Sequence, residues 1–209
     1  MIVENISFST KYNLVILTIS GEDFYINYDI YNDLNIATDD ELDFEVYKEI
    51  LKDDDYNKAK NFALGKISFA QKSSFEIEKL LKTEGFDGDS IDKTLSFLDE
   101  YGLIDDDAYV KSFVSDKHNL SRWSKNKIRY ALGAKRISND LIESYLSEIS
   151  YEEEYDKAYN FAIKKARDNF SIENKQKVYR YLSSKGFEFD IINQVVGDLF
   201  KWYMDMCTF

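Results

Sequence analysis

Two hydrophobic periods divide the chain. In the first 30 residues, apolar and β-branched residues alternate with polar ones, most clearly in 13–19 and 24–28. The turn residues of 20–23 separate these two segments, which predicts a β-hairpin, and the similar pattern of 2–8 predicts a third strand. Because a hairpin alone is only marginally stable, we expect this sheet to pack on another element.

From residue 40 onwards the apolar period is 3.6. Leu42, Val46, Ile50 and Leu51 form the apolar stripe of an acidic helix. We predict that this helix ends near the three carboxylates of 53–55 and that these form a solvated linker. The chain after them has helical periodicity throughout.

Glycines and capping residues mark the breaks between these helices. Ser73 and Glu76 have the spacing of a capping box. Gly85 and Gly186 each follow an amphipathic segment and precede phenylalanine, and Gly102 follows Tyr101. This placement predicts left-handed residues just beyond the helix ends.

The breaks repeat along the chain. The segments Leu81–Ile91, Leu132–Ile142 and Leu182–Ile192 share one spacing and begin 51 and 50 residues apart, each preceded by a helix containing Phe62, Phe113 or Phe161. A period of this length with three helices per unit predicts a helical repeat array, elongated and curved, whose units bury their apolar faces mainly against neighbours. The predicted fold class is therefore mainly α, with tandem three-helix repeats after a small N-terminal β-hairpin and helix domain. The predicted boundaries are 1–55, 56–107, 108–150 and 151–209.

The composition argues against an enzyme and against a membrane protein. Hydrophobic residues make up 44% of the 209 residues, but none of their runs approaches the ~20 residues that span a bilayer, and the N-terminus lacks a signal-peptide pattern. One histidine, His118, and one cysteine, Cys207, leave little material for catalysis, because a catalytic triad would have to use His118 and a His/Cys zinc site lacks the ligands. We expect a cytoplasmic, monomeric protein without a cofactor.

Charge is distributed unevenly along the chain. The net charge is −12, yet the segments 1–58, 59–109, 110–149 and 150–209 have −10, −5, +4 and −1. The window 117–136 contains seven Lys and Arg and no carboxylate. We interpret it as a partner-binding surface, although a solvated helix face with a chance excess of cations is the alternative. The candidate residues are Arg122, Trp123, Lys125, Lys127, Arg129, Lys135 and Arg136. For Trp123 the alternative, which we favour, is packing on the core or at a helix cap.

A second basic group follows in the third repeat: Lys164, Lys165, Arg167, Lys175, Lys177 and Arg180. If the repeats curve, both groups can line one surface. Lys125 and Arg129 are four residues apart, opposite the inward-pointing Ile128 and Leu132, so we expect both cations to be solvent-exposed.

Other polar and aromatic residues have structural interpretations. Asp105 and Asp106, next to Asp107, are expected to cap the helix that starts near Ala108, with a divalent-metal site as the alternative. His118 is expected at the surface. The aromatic residues at helical spacing are expected in the core: Phe62, Phe97, Phe113, Tyr130, Tyr145 and Phe161.

Three stretches resemble the RecX family of RecA regulators. LLKTEGF at 80–86, followed by Ile91, Leu95 and Leu98, is similar to the helix pair of the family's first repeat. YGLIDD with Tyr109 at 101–109 is similar to its junction between repeats, and the pattern of 123–138 is similar to the start of its second repeat. The resemblance covers residues 56–200. The N-terminal segment resembles an extra domain of longer members.

The resemblance implies three tandem three-helix repeats that bind the RecA–DNA filament and damp recombinase activity without catalytic chemistry. Its partners would be the RecA filament and the DNA within it, and no membrane. Arg136 departs from the pattern, because the other two repeats have glycine there. That turn either bends differently or costs about 1 kcal/mol. Many relatives are basic whereas this chain has a pI of 4.6, which leaves a standalone nucleic-acid-binding protein as the alternative function.

Overall fold

The computed structural model describes residues 1–10, 13–167 and 169–206, with the backbone alone for 202–206. Cys207 lies outside the described residues. The chain forms two compact units, Met1–Asp105 and Asp106–Phe209. The predicted fold class is confirmed, since a small antiparallel sheet is followed by tandem three-helix repeats.

The first unit begins with three antiparallel strands in the order β1-β2-β3, namely Val3–Ser9, Leu14–Ile19 and Glu22–Asn27. Both the hairpin and the additional strand are confirmed. Val15 and Leu17 of β2 are fully buried, and they pack with Ile50 of the second helix. The sheet thus has one covered face, as a marginal hairpin requires.

Two helices follow the sheet, α1 (Tyr28–Leu34) and α2 (Phe44–Ile67). The prediction that the second helix ends near 53–55 is wrong, because α2 runs through these residues for 24 residues in all. Asp54 is only 5% exposed. The linker prediction failed because the partners of these carboxylates lie far away in sequence.

Those partners are backbone groups of the edge strand β3. The backbone N–H of Tyr25 donates to Asp54 Oδ1 at 2.8 Å, and that of Asn27 donates to Asp53 Oδ2 at 2.5 Å. Asn57 Nδ2 donates to the Tyr25 carbonyl at 3.0 Å. An open strand edge is a site for unwanted pairing, so these side chains of α2 close the sheet on this side.

The same helix contributes to the first repeat. Ala59 and Ala63, in its second half, are buried against α3 (Ser74–Glu84) and α4 (Gly88–Glu100). Asp55 Oδ2 accepts a hydrogen bond from the backbone N–H of Asp87 at 3.2 Å. One continuous helix therefore joins the sheet and the first repeat within a single unit.

The second unit contains the other two repeats. The second repeat comprises α5 (Asp106–Ser115), a π-helical turn (Asp116–Leu120), α6 (Lys125–Gly133) and α7 (Asn139–Leu146). The third repeat comprises the next three helices, α8 (Tyr151–Ala166), α9 (Ile172–Ser184) and α10 (Phe189–Met206).

Each repeat has its own hydrophobic core. The second repeat buries Ile128 and Leu132 of its middle helix, and the third repeat buries Val178 and Leu182 at the equivalent positions. The three cores are separate clusters. The expectation that the repeats bury their apolar faces mainly against neighbours is therefore wrong, because three helices suffice to enclose these residues.

Each turn that follows a middle helix contains a residue in the left-handed conformation. Gly85 and Gly186 have φ angles of 94° and 84°, and Gly102 has 60°. Arg136 has φ 56°, so the second repeat makes the same turn with a non-glycine residue. The capping box of Ser73–Glu76 is present as predicted.

One prediction of a core residue and one prediction of a surface residue are wrong. Tyr130 is 81% exposed, because it lies two residues from both Ile128 and Leu132 and hence on the opposite side of α6. His118 is 9% exposed rather than at the surface. It lies in the π-helical turn, whose wider winding displaces side chains from the positions that an α-helix gives them.

The junction between the units is helical from Asp106, two residues earlier than expected. Asp106 and Asp107 lie in the first turn of α5, and Asp107 Oδ2 accepts a hydrogen bond from Tyr145 at 2.8 Å. Within the described ranges, no three His, Cys, Asp or Glu side chains are grouped as a metal site. Nor is any helix in that part of the chain long and apolar enough to cross a membrane.

Replacement of Asp54 tests the closure of the sheet edge. Asp54→Ala leaves the partly buried N–H of Tyr25 without its acceptor, so we expect the free energy of unfolding to fall by about 1–3 kcal/mol. Glu49→Ala, at an exposed position of the same helix, should change it by less than about 0.5 kcal/mol. Urea denaturation of both variants measures the difference, and equal effects would contradict the role assigned to Asp54.

Candidate polyanion interface

Lysines converge on aromatic rings in the second repeat. Lys135 Nζ lies 5.6 Å from the ring centroid of Tyr109 and 6.0 Å from that of Phe113. Lys117 Nζ lies 5.3 Å from the same Phe113 ring. The electron-rich face of an aromatic ring attracts an ammonium group within about 6 Å, so Phe113 holds two lysines near each other.

Trp123 extends this arrangement. Its ring lies 4.1 Å from Lys127 Nζ and 5.2 Å from Lys117 Nζ, and it meets Phe113 edge to face at a centroid distance of 6.3 Å. Trp123 is half-buried against the core of the second repeat. It thus packs on the core and orients two ammonium groups at the same time.

The third repeat has an equivalent arrangement. Lys185 Nζ lies 5.7 Å from the Phe161 ring and 5.3 Å from the Tyr181 ring. Lys165 Nζ lies 5.2 Å from Tyr181. One aromatic ring again holds two lysines.

A direct hydrogen bond joins the two arrangements. Ser124 Oγ donates to the backbone carbonyl of Lys185 at 2.8 Å and accepts from the backbone N–H of Lys127 at 3.3 Å. A Cβ at Gly186 would lie only 2.8 Å from Ser124 Oγ. Glycine is therefore required there both for the positive φ and for this close approach.

A buried ion pair supports the same seam. Glu154 is 1% exposed, and its carboxylate accepts from the backbone N–H of Lys125 at 3.2 Å and from Lys157 Nζ at 2.9 Å. Lys157 Nζ also donates to the Trp123 carbonyl at 2.9 Å, and burial lowers the pKa of this lysine. The first helix of the third repeat thereby fixes the segment that begins α6.

These contacts define a lysine row, whose members in order are Lys135, Lys117, Lys127, Lys185 and Lys165. Neighbours share an aromatic ring, except at the seam, where the Ser124 hydrogen bond brings Lys127 next to Lys185. Lys117, Lys127, Lys165 and Lys185 form no ion pair with any described residue. Four ammonium groups without a carboxylate partner among the described residues suit a partner with several negative charges.

The rings of the row face the lysines. Ammonium groups lie over Trp123, Phe113 and Tyr181, so these faces are occupied rather than open to a nucleic acid base. We therefore assign the rings the role of orienting the lysines, in contrast to the base-stacking platforms of many single-strand binding proteins.

Some of the predicted basic residues belong to the lysine row and others do not. Lys127, Lys135 and Lys165 belong to the row, and Trp123 supports it. The expectation that Lys125 and Arg129 are solvent-exposed is wrong, since both are half-buried.

Local bonds account for their burial. Lys125 Nζ donates to the Ile149 carbonyl, and Arg129 Nη2 donates to Glu143 Oε2 at 3.0 Å. The hydrogen bond from Arg129 lowers the pKa of Glu143. Their cations already have partners within the repeat.

The other predicted cations lie outside the row. Arg122 and Arg136 are exposed in left-handed turns, and Lys164 is exposed on α8. Lys175 and Arg180 line a cavity of about 430 Å³ with Tyr179. Arg167 and Lys177 line a different cavity together with Lys165.

The candidate set chosen from the sequence omitted Lys117 and Lys185. The repeat period contained the missing signal, because Lys185 follows Lys135 by 50 residues. Likewise Lys66, Lys117 and Lys165 each follow Phe62, Phe113 or Phe161 by four residues. In the first repeat Lys66 Nζ lies 4.5 Å from the Phe62 ring, but Glu84 stands at the position of Lys135.

The two units differ strongly in charge. Residues 1–105 contain 10 Lys and Arg against 23 Asp and Glu, a net charge of −13. Residues 106–209 contain 17 against 16, a net charge of +1. The lysine row lies entirely in the second unit, away from the acidic part of the sequence.

Comparison with known proteins identifies the family. The model of the second three-helix domain of RecX matches residues 105–146, and that of the third matches 152–196. The regulatory protein RecX of Clostridium perfringens (strain 13 / Type A) is 36% identical over 171 residues, covering 78% of this chain and 79% of the relative. The chain belongs to the RecX family.

Other similarities cover between 70% and 94% of the chain. The regulatory protein RecX of Finegoldia magna is 31% identical over 203 residues, covering 94% of this chain and 99% of the relative. A crystal structure of regulatory protein RecX superposes with a TM-score of 0.75 at 23% identity, covering 94% and 98%, which shows the common fold. RecX from Lactobacillus salivarius gives a TM-score of 0.64 at 28% identity, covering 70% of this chain and 97% of that one. All five lysines of the row lie within the two matched RecX domains.

Substitution of Trp123 separates the orientation of the lysines from their charge. Trp123→Leu removes the ring but no cation, so affinity for a fluorescein-labelled oligothymidylate should fall about 2–5-fold, the value of a cation–π contact of ~0.5–1 kcal/mol. The dependence of affinity on salt should keep its slope, whereas Lys127→Gln should reduce that slope by about 0.7. Fluorescence anisotropy at several salt concentrations measures both quantities.

Trp123→Phe is the matched control, because it keeps an aromatic face for the lysines. We expect it to bind more tightly than Trp123→Leu at every salt concentration. Equal losses in the two variants, with equal thermal stability, would contradict an orienting role for the ring.

Replacement of Gly186 tests the seam. Gly186→Ala combines a strained left-handed residue with a clash against Ser124, so we expect the free energy of unfolding to fall by about 2–4 kcal/mol. Gly85→Ala is the control, because a Cβ there meets nothing within 4 Å, and only the backbone cost of about 1–2 kcal/mol remains. Equal losses in urea denaturation would show that the seam tolerates a methyl group.

Proposed function

We propose that this RecX-family protein binds the RecA–DNA filament through the lysine row and lowers recombinase activity. The family supports a regulatory role. Binding to the filament is proposed from the row itself, in which Lys117, Lys127, Lys165 and Lys185 form no ion pair with a described residue although the protein has a net charge of −12.

The charge distribution favours one orientation of binding. A unit of net charge −13 is repelled by phosphates, so the second unit is the one that faces DNA in the filament. The strongly negative first unit then faces solvent or a basic protein surface. This combination favours a nucleoprotein partner over naked DNA.

Regulation in this proposal requires no catalytic chemistry. A monomer that occupies phosphates or protein surface in the filament competes with the contacts by which the filament grows or exchanges strands. Since its partner assembles on cellular DNA, we propose that the protein acts in the cytoplasm.

Recombinase assays test the proposal directly. We expect the protein to lower DNA-dependent ATP hydrolysis and strand exchange by the RecA of the same organism at a stoichiometric ratio. Lys127→Gln with Lys185→Gln should relieve this inhibition about tenfold or more, because it removes two cations on either side of the seam. Lys111→Gln with Lys201→Gln changes the charge equally at exposed positions outside the row and should retain inhibition.

Two results would contradict the proposal. Wild-type protein without effect on the recombinase would exclude the regulatory role assigned here. Inhibition unaffected by the row variant would exclude the row as the interface.

The alternative function is direct action on DNA. It predicts submicromolar binding to naked DNA at physiological salt without any contact to the recombinase. The lysine row would support this function if phosphates alone were a sufficient partner for it.

A further inference from the structure

The ring of Tyr130 has no partner in the part of the chain that the structure describes. It is 81% exposed on α6. Among the described residues the ring contacts no other ring and no cation, and the hydroxyl group has no hydrogen-bond partner. The rings of the lysine row differ, because they pack on the cores and have ammonium groups over them. Tyr130 therefore presents an open aromatic face to a ligand.

The other two repeats have a cation at the equivalent position. Lys79 lies 51 residues before Tyr130 and Arg180 lies 50 residues after it, which are the spacings of the repeats. Charged residues are usual on the solvated face of a helix, whereas an aromatic ring there exposes a large apolar surface. The second repeat thus has an aromatic ring where the fold itself requires only a solvated side chain.

Tyr130 lies on the same face of α6 as a member of the row. Lys127, Tyr130 and Ala134 are all exposed, at the spacing i, i+3 and i+7 of one helix face. Residues three apart on a helix have Cβ atoms about 5–6 Å apart, so the ring lies beside the Lys127 side chain. Gly133 and Ala134, on the far side of the ring, are too small to cover it.

The charges around the ring favour an anionic ligand. Helix α6 contains three cations and no carboxylate. The carboxylate of Glu143 on α7 is bound by Arg129, whose Nη2 donates to Oε2 at 3.0 Å. A phosphate that approaches Lys127 therefore meets no unpaired carboxylate of this helix pair at the ring.

We propose that Tyr130 stacks on an unpaired base of single-stranded DNA whose phosphates lie on the lysine row. Every base has a π face, so stacking on an aromatic side chain tolerates any sequence. In a duplex the bases are paired and stacked on one another, and their faces are closed to the ring. Tyr130 would then give the interface a preference for single strands. The inference rests on the proposed function only in taking the row as the surface that binds phosphates.

Binding to labelled DNA without a recombinase tests the inference. Tyr130→Ala should weaken binding of a fluorescein-labelled oligothymidylate at low salt at least about fivefold, the lower end of base–aromatic stacking. Its affinity for a duplex of the same length should change by less than about twofold, since the ring reaches no base there. The salt dependence should keep its slope, because no cation is removed.

Two control variants accompany this substitution. Tyr130→Phe keeps the ring and should bind single strands as the wild type does. Tyr151→Ala removes another exposed tyrosine of the second unit, at the start of α8 and outside the row. It should leave the affinities for single strand and duplex unchanged. All three positions are substitutions at the surface, so the variants should fold normally.

A strand that contains 2-aminopurine reports stacking directly, because the fluorescence of this base falls when it stacks on a ring. We expect the fluorescence to fall when the strand is saturated with wild-type protein or with Tyr130→Phe. It should remain higher when the strand is saturated with Tyr130→Ala.

Four results would overturn the inference. Wild-type protein that does not bind oligothymidylate at low salt is the first, and equal binding of single strands by the wild type and Tyr130→Ala is the second. An equal loss for single strand and duplex would assign the ring to a backbone contact. Single-strand binding retained by Tyr130→Ala together with lost recombinase inhibition would assign it to a protein contact. Wild-type protein that shows the expected strand preference but does not inhibit the recombinase would contradict the proposed function alone.

Discussion

The hydrogen bond from Ser124 to the backbone of Lys185 is the contact on which the candidate interface depends. Each repeat has its own core, so nothing in the core packing fixes the second repeat against the third. The seam supplies that connection with Ser124, Gly186 and the buried Glu154. Without it the five lysines would be two separate groups.

The ion pair of Glu154 and Lys157 shows that such a seam requires the burial of charged groups, which costs free energy. Burying a carboxylate at 1% exposure is favourable only when its partners satisfy it. Here the partners are Lys157 and the backbone N–H at the start of α6, where the helix dipole also favours a negative charge. The main effect of the pair is therefore to fix how the second and third repeats meet. Its contribution to the stability of either repeat is smaller.

Aromatic rings also order the lysine side chains of the row. A free lysine side chain loses considerable rotamer entropy when it is fixed by a partner. Phe113, Trp123 and Tyr181 each hold two ammonium groups before any partner binds, and such preorganisation reduces the cost of binding.

The sequence by itself determined the periods, the helix breaks and the location of the basic repeats, because these are local properties. Hydrophobic spacing predicted the hairpin and the repeat helices, and the break at Gly186 was visible from its context. The repeat spacing also indicates Lys185, which the local density of cations does not single out.

Only the tertiary structure decided what each charge does. Arg129 in the basic window is neutralised by Glu143, fourteen residues away, while Asp53 and Asp54 bind a strand that ends 26 residues or more before them. A carboxylate in solvent and one that closes a sheet edge have the same local sequence pattern. The difference lies in the partner, and long-range partners are set by packing that no window of the sequence contains.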